Sequence, residues 1–281
     1  MGVAKAFSVA SWNVEHLTSQ GRPTRVADVA ARLLELDPDV VAIYEVEGKQ
    51  VWQELMDGMP GYSFFITEGQ NTQQILLGTS GRVTTFVTQK VEFRSRDAFM
   101  RPGALLTVRV DGHDYTLLFL HLASMPDPRG FGLRTDMVDR ALEFKKRVVN
   151  RLKPTERNFI FLGDLNSMGL DYVYGREAPP SRRLLRRGAS GDEEILRLGY
   201  VADKVGMRVL GKTHDATWRD SRRTSNLDHV VAAKHLRFRK FDAGAEVQVK
   251  GWPELATKPE QLEWTRRYSD HAILYFEVQK L

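Results

Sequence analysis

Cysteine is absent from all 281 residues. That removes disulfides, thiolate metal sites and cysteine nucleophiles together, while leaving the compartment open. Also missing is any apolar run long enough to cross a bilayer. Met1 to Ala10 lacks the long apolar segment of a secretory leader, so the expectation is a cytoplasmic protein, with a secreted and already processed one as the alternative. No fixed-period repeat and no composition shift divides the chain, which implies one domain over 1–281. These absences leave a globular chain long enough to bury a sizeable core.

What is present in excess is positive charge. The chain carries 41 Lys and Arg against 36 Asp and Glu, a formal +5. The window 176–223 alone holds 12 basic and 7 acidic residues, so the imbalance is concentrated there. A cationic window favours a polyanionic partner, and a solvated arginine-rich loop is the plainer alternative.

Apolar periodicity gives the elements in order. Phe7 to Asn13 reads as a strand, followed by a helix opening at Pro23-Thr24 with Val26, Val29, Ala30, Leu33 and Leu34 on one face. Val40 to Tyr44 is a second buried strand, and Gln50 to Met56 a short helix. From Tyr62 to Val110 come short β-rich runs, YSFFIT, QILLG, VTTFV, VEFR and ALLTVRV. His113-Asp114 in a Gly-containing turn predicts a hairpin of Leu105 to Val110 with Tyr115 to His121. After a loop over 122–131, Leu133 to Leu152 predicts the longest helix, with Leu133, Met137, Val138, Phe144, Val148 and Leu152 inward. Strand 158–162, short helices at Arg182 to Arg187 and Glu193 to Leu198, and strands Leu227 to Ala232 and Ala272 to Val278 complete the list. Spacing alone reaches a mixed α/β class with many strands.

The strands share one habit: each ends on a polar group. Phe159 to Leu162 is wholly apolar, Gly163 breaks it, and Asp164 and Asn166 follow. SVASWN ends at Asn13, VVAIYE at Glu45 and YTLLFLH at His121, while Asp228-His229 and Asp270-His271 lie later in the chain. Carboxylates at the ends of buried strands need a cation or firm hydrogen bonds. Delivered beside an amide, they can orient a water and hold a developing oxyanion. The set suits a hydrolytic site.

The motifs WNVE (Trp12 to Glu15), YEV at Glu45, FLHL at His121, GDLN (Gly163 to Asn166), LDHV (Leu227 to Val230) and SDH (Ser269 to His271) together resemble the endonuclease/exonuclease/phosphatase superfamily, the metal-dependent phosphodiesterases related to DNase I and exonuclease III. They occur in that superfamily's order and span 12–271. The resemblance implies an α/β chain of α+β type, folded as a DNase I-like four-layer α/β/β/α sandwich. It also implies a Mg²⁺ site, with Mn²⁺ as a second ion it admits, formed by Asn13, Glu45 and Asp270. Asp164 would serve the attacking water, Asn166 the phosphoryl oxygen, and Asp228 with His271 a carboxylate–imidazole pair; whether Asp164 or His271 is the base stays open. His121 would assist the leaving oxygen, with Glu68 and Glu92 as candidate partners.

Arg101 resembles a phosphate-contacting arginine, and Trp218 with the neighbouring Arg222 and Arg223 offers a stacking and phosphate-binding surface. His229 reads as structural, and His16, His113, His214 and His235 as surface or loop residues. The expected activity is a DNA endonuclease, acting on nucleic acid without membrane contact and as a monomer. The alternatives are a sphingomyelinase-like phospholipid phosphodiesterase, an inositol-phosphate phosphatase, or an inactive binding module on the same fold. The last would require loss of one of the acidic or histidine positions, and all are present.

Overall fold

A computed structural model describes residues 4–20, 24–69, 73–94, 101–167 and 193–281. Two six-stranded sheets dominate it. In the first the order is β13 (Gln248–Lys250), β14 (Ile273–Gln279), β1 (Lys5–Leu17), β2 (Val40–Val46), β4 (Gln74–Ser80) and β3 (Tyr62–Ile66). In the second it is β5 (Thr84–Lys90), β6 (Gly103–Val110), β7 (His113–His121), β8 (Asn158–Asp164), β12 (Asp228–Ala233) and β9 (Met207–Val209), while β10 (Trp218–Arg219) and β11 (Thr224–Ser225) form a separate pair. At the centre of each lies one parallel pair. β1 (Lys5–Leu17) runs alongside β2 (Val40–Val46), and β7 (His113–His121) alongside β8 (Asn158–Asp164). A parallel pair needs a crossover, and a helix supplies it each time: α1 (Arg25–Leu36) between β1 and β2, α3 (Pro128–Arg147) between β7 and β8.

The layers follow from which residues each strand buries. Val9, Val40, Ala42 and Leu77 of the first sheet pack against Leu117, Phe119, Ile160, Leu162 and Val230 of the second. The outer face of the first sheet, through Trp12, Val41 and Ile43, meets Val26, Val29 and Leu33 of α1 and Val51 and Leu55 of α2 (Lys49–Gly58). The outer face of the second, through Leu118, Phe159 and Phe161, meets Met137 and Ala141 of α3 and Leu198 and Ala202 of α4 (Glu193–Asp203). This is helix, sheet, sheet, helix, as the resemblance implied. Both faces of the central strands are covered, which is why their sequences are unbroken apolar runs.

Several local expectations are corrected. VEFR is a single 3-10 turn (Val91–Arg94) that directly follows β5 (Thr84–Lys90), which pairs with β6 (Gly103–Val110). The hairpin turns at Asp111-Gly112, both left-handed with φ of 49° and 79°, and His113 and Asp114 belong to the strand. α3 begins earlier, with Asp127 accepting from the Gly130 N–H at 2.7 Å, and ends at Arg147. Val148, placed inward by the longer helix, is therefore exposed. Leu34 is exposed as well, since α1 turns only its Val26, Val29, Ala30 and Leu33 face to the sheet. The short helix expected at Arg182 to Arg187 lies outside the described residues.

Candidate active site

The polar strand ends converge because of register. β7 is parallel to β8 and β12 (Asp228–Ala233) is antiparallel to it, so the carboxyl ends of β7 and β8 meet the amino end of β12. His121 pairs with Asp164, and Asp164 with Asp228, in a single row across three strands. Period-two alternation puts all three on the face between the sheets, in line with Phe119, Leu162 and Val230. The crevice beyond the carboxyl ends of parallel strands is the usual place for a ligand in such sheets.

Glu45 reaches the same place by a different device. Alternation from Ala42 and Tyr44, which face the other sheet, would point Glu45 outward to α1. Instead Glu45 is left-handed, at φ 63°, and the pairing slips between Tyr44 and Val46. The bulge turns the carboxylate into the crevice and returns Val46 to the outer face. β1 does likewise: pairing skips from Asn13 to Leu17, with Glu15 and His16 at φ 43° and 49°. Gly163 has its own reason. At φ 134° a Cβ there would run into the Leu120 carbonyl oxygen and lie 2.6 Å from the Tyr44 hydroxyl, so only glycine lets β8 pass.

The result is a cleft of about 730 Å³ walled by Glu15, His16, Glu45, His121, Asp164 and Asn166 on one side, with Trp218, Arg223, Asn226, Asp270 and His271 on the other. The Asn13 amide donates to Glu45 at 3.0 Å and to Asp164 at 2.9 Å, tying the two sheets together. Asp164 also accepts from the Asn166 N–H at 3.0 Å, and the Asn166 side chain donates to the Leu122 carbonyl. His271 Nδ1 lies 2.9 Å from Asp228 Oδ2. Its Nε2 is 3.8 Å from Asp164 and 3.9 Å from Asp270.

These contacts set the charges. Burial disfavours the His271 cation, but Asp228, Asp164 and Asp270 outweigh it and lift the imidazole to about 10. Burial pushes the Asp164 carboxyl up to about 7, and the His271 charge and the Asn13 hydrogen bond only partly offset that. Burial raises Asp270 as well. His121 goes the other way: burial, then the Arg101 and His271 charges, hold it well below 6.5. At neutral pH the site therefore contains an imidazolium at His271 and a neutral imidazole at His121.

A hard divalent cation fits this donor set. Glu45, Asp164 and Asp270 line the cleft, Asp228 is hydrogen-bonded to His271, and His271 is the cation that faces Asp164, Asp228 and Asp270. Oxygen donors in that number suit Mg²⁺. Asp164, Asp228 and His271 offer donor atoms within 4.8 Å of one another. The Asp228 and His271 atoms that face each other are already hydrogen-bonded, so Glu45 with Asp164 or Asp270 leaves more lone pairs for a metal. Asn13 presents its NH₂ to the carboxylates and its carbonyl to the Glu15 N–H at 3.0 Å. In this arrangement it sits beside Glu45, as expected, and positions that carboxylate.

Other expected residues are placed differently. Arg101 is buried, donates to the Gln73 carbonyl at 3.1 Å, and sits behind Glu45 and Asp164 as a countercharge, away from the cleft wall. The carboxylates closest to His121 are Asp164 at 3.4 Å and Glu45 at 3.6 Å, in place of Glu68 or Glu92. Its Nδ1 is buried without a partner. Trp218 lines the cleft, but its indole N–H is taken by Asp270 at 2.6 Å and Arg223 covers its ring at 5.5 Å. Arg222 is exposed outside the wall. The described part of the basic window is largely internal pairing: Arg197 with Asp139, Arg208 with Glu246, buried Arg219 with Gln261. His229 is buried against the Asn226 carbonyl, as a structural histidine would be. His235 is held by Asn158 at 2.9 Å.

His16 was missed. It carries a bond of 2.8 Å to Glu47, which lifts its imidazole, and its main-chain N–H holds Glu45 at 3.0 Å. Its place directly after WNVE was the available signal.

A buried carboxylate–imidazole pair facing further carboxylates, at the ends of parallel strands in a four-layer sandwich, defines a phosphoester hydrolase of the DNase I-like fold. The profile of the Endonuclease/Exonuclease/phosphatase family matches residues 10–271, and the chain belongs to that family. No curated protein matches it in sequence. Among solved structures, truncated Caenorhabditis elegans TDP2 is similar with a TM-score of 0.65 at 14% identity, covering 98% of both chains. D. rerio TDP2 in complex with a single-strand DNA product gives 0.68 at 18%, covering 98% of this chain and 99% of that one. The mannosyl-6-phosphatase of Bacteroides thetaiotaomicron gives 0.61 at 13%, covering 98% and 100%. At these identities the likeness is one of fold.

Proposed function

We propose that this chain is a Mg²⁺-dependent phosphodiesterase that cleaves DNA by in-line attack of water. The observation that carries the reading is the His271–Asp228 pair facing Asp164 across the cleft. An imidazolium has no lone pair to accept a proton, so His271 serves as the fixed cation that binds the scissile phosphoryl group. Asp228 accepts from Nδ1–H and fixes the ring's orientation. Asp164, whose carboxyl titrates near neutrality, is then the group able to take a proton from water. Asn166 and the neutral His121 N–H supply hydrogen bonds to phosphoryl or leaving oxygens. Glu45 and Asp270 would hold the metal, oriented by Asn13 and Trp218 respectively. When bound, the cation neutralises charge on the phosphoryl and leaving oxygens.

A nucleic-acid substrate is supported by the cleft's breadth, by the exposed Arg223 over Trp218, and by the similarity to a TDP2 solved with a DNA product. One observation favours a sugar-phosphate phosphatase instead: Ser124, Ser167, Thr224, Ser225 and Asn226 give the wall hydroxyl and amide groups suited to a polyol. Supercoiled plasmid, single-stranded circle, RNA and hexose phosphates, each incubated with Mg²⁺, Mn²⁺ or chelator, separate the two. Metal-dependent nicking of the circles is expected. Phosphate release from the sugars with the circles left intact would replace the nuclease with the phosphatase.

A further inference from the structure

Asn226 joins β11 to β12, is half-buried, and lines the cleft together with Asp164, Asn166 and His271. The chain around it is fastened without its side chain. The Thr217 hydroxyl accepts from the Leu227 and Asp228 N–H groups at 3.0 Å each, and the Leu227 carbonyl accepts from the Leu165 N–H at 3.0 Å. The Asn226 carbonyl lies 3.0 Å from His229 Nε2. The side chain has a single partner. Lys212, from the segment after β9, donates to the Asn226 carboxamide oxygen and, at 2.7 Å, to the Asp228 carbonyl. An ammonium has only protons to give, so the carboxamide oxygen faces Lys212 and the NH₂ is turned away from it. Among the described residues none accepts from that NH₂.

The residue type fits a second task. A carboxylate would be the stronger partner for Lys212. It would also add negative charge to a cleft already lined by Glu45, Asp164 and Asp270, where an anionic substrate has to enter. Asparagine satisfies the lysine and shows the cleft a donor, polarised by the ammonium behind it.

We propose that Asn226, held in this orientation by Lys212, is a phosphate-binding residue: its Nδ2–H donates to a non-bridging oxygen of the substrate's phosphoryl group. It acts next but one before Asp228, the partner of His271. This rests on the phosphodiesterase reading above and adds a donor to its phosphate site.

Asn226→Asp keeps the side chain's shape and gives Lys212 a better acceptor, so it should melt at or above the native temperature. Asn226→Ala removes the group. Each is compared with native protein in Mg²⁺, for hydrolysis of bis(p-nitrophenyl) phosphate and for the rise in melting temperature produced by inorganic phosphate. Expected is a fall in kcat/KM of about 100-fold for Asn226→Asp and about tenfold for Asn226→Ala, chiefly through KM. The phosphate-induced rise should be lost in the first and reduced in the second. A residue that merely anchored Lys212 would give the opposite order, because aspartate anchors it better than alanine. Asn226→Asp within about threefold of native, a smaller loss than in Asn226→Ala, or a phosphate-induced rise kept in both variants or missing from native protein would overturn the assignment. Native protein that leaves the diester intact, with a phosphate-induced rise that Asn226→Asp abolishes, would contradict the phosphodiesterase reading and uphold Asn226 as a phosphate ligand.

Discussion

Two aspartates, both buried, sit at opposite ends of the sandwich and behave as opposites. Asp39, just ahead of β2, accepts from the Ser8 N–H and hydroxyl at 2.9 Å, from Lys5 at 3.0 Å and from Arg82 at 2.7 Å. Burial pushes its carboxyl up, but Lys5 and Ser8 outweigh that and hold it below 3.8. Asp164, at the far end of β8, has the Asn13 amide and the Asn166 N–H, and the Asp228 and Glu45 charges lie near it. Its carboxyl rises to about 7. Both are shielded from solvent, but Asp164 lies deeper and has fewer donors. Asp39 fastens β1 to β2; Asp164 is held short of compensation, as a group meant to meet water, metal and phosphate must be.

Exchanging each aspartate for its amide should separate these roles. Asp164→Asn is expected to lower turnover by roughly 10³-fold or more, with a melting temperature that holds or rises because an undercompensated charge is gone. Turnover within tenfold of native would break the contrast. Next in size, Asp228→Asn should cost about 10²-fold, since His271 loses its orienting partner. Its pH–rate profile should lose activity at lower pH than native as His271 deprotonates more readily. Asp39→Asn should do the reverse of Asp164→Asn, costing roughly 1–3 kcal/mol in denaturant unfolding with kcat unchanged, because the charge facing Lys5 and Arg82 is gone and one acceptor oxygen becomes a donor.

The smallest effect is in pH dependence. Asp39, with its carboxyl lowered, contributes stability that is present above pH 3.8 and lost as pH falls below it. For Asp164 the folded state binds more protons between 3.8 and about 7, so its contribution to stability falls as pH rises through that window. In chelator, native stability relative to Asp164→Asn should decline between pH 4 and 7. A flat difference would mean that Asp164 is compensated after all.

Much of this was legible before the structure. Unbroken apolar runs ending in Asn13, Glu45, His121 and Asp164 marked both the strands and the chemistry at their tips, whereas Gly163, which read as a break, lies inside β8 where it passes close to Tyr44. What escaped was direction. Strands covered on both faces carry no polar alternation, so nothing in VVAIYE reveals that Glu45 needs a left-handed bulge to face the cleft. The same blindness hid the turn at His16 and its pairing with Glu47, a contact across strands. Arg101 looked like a phosphate contact because charge is visible in sequence and burial is not. In the described part of the cationic window, Arg197, Arg208 and Arg219 face partners supplied by distant segments.

The central claim is that the carboxylates around Asp164 are left undercompensated for a divalent cation, and metal-linked unfolding tests it directly. The melting temperature of native protein should rise on addition of Mg²⁺, by roughly 2–4 °C for each kcal/mol of linked binding, and Glu45→Gln should abolish most of that rise while Asp39→Asn keeps it. No rise in native protein, or an equal rise in Glu45→Gln, would contradict the account.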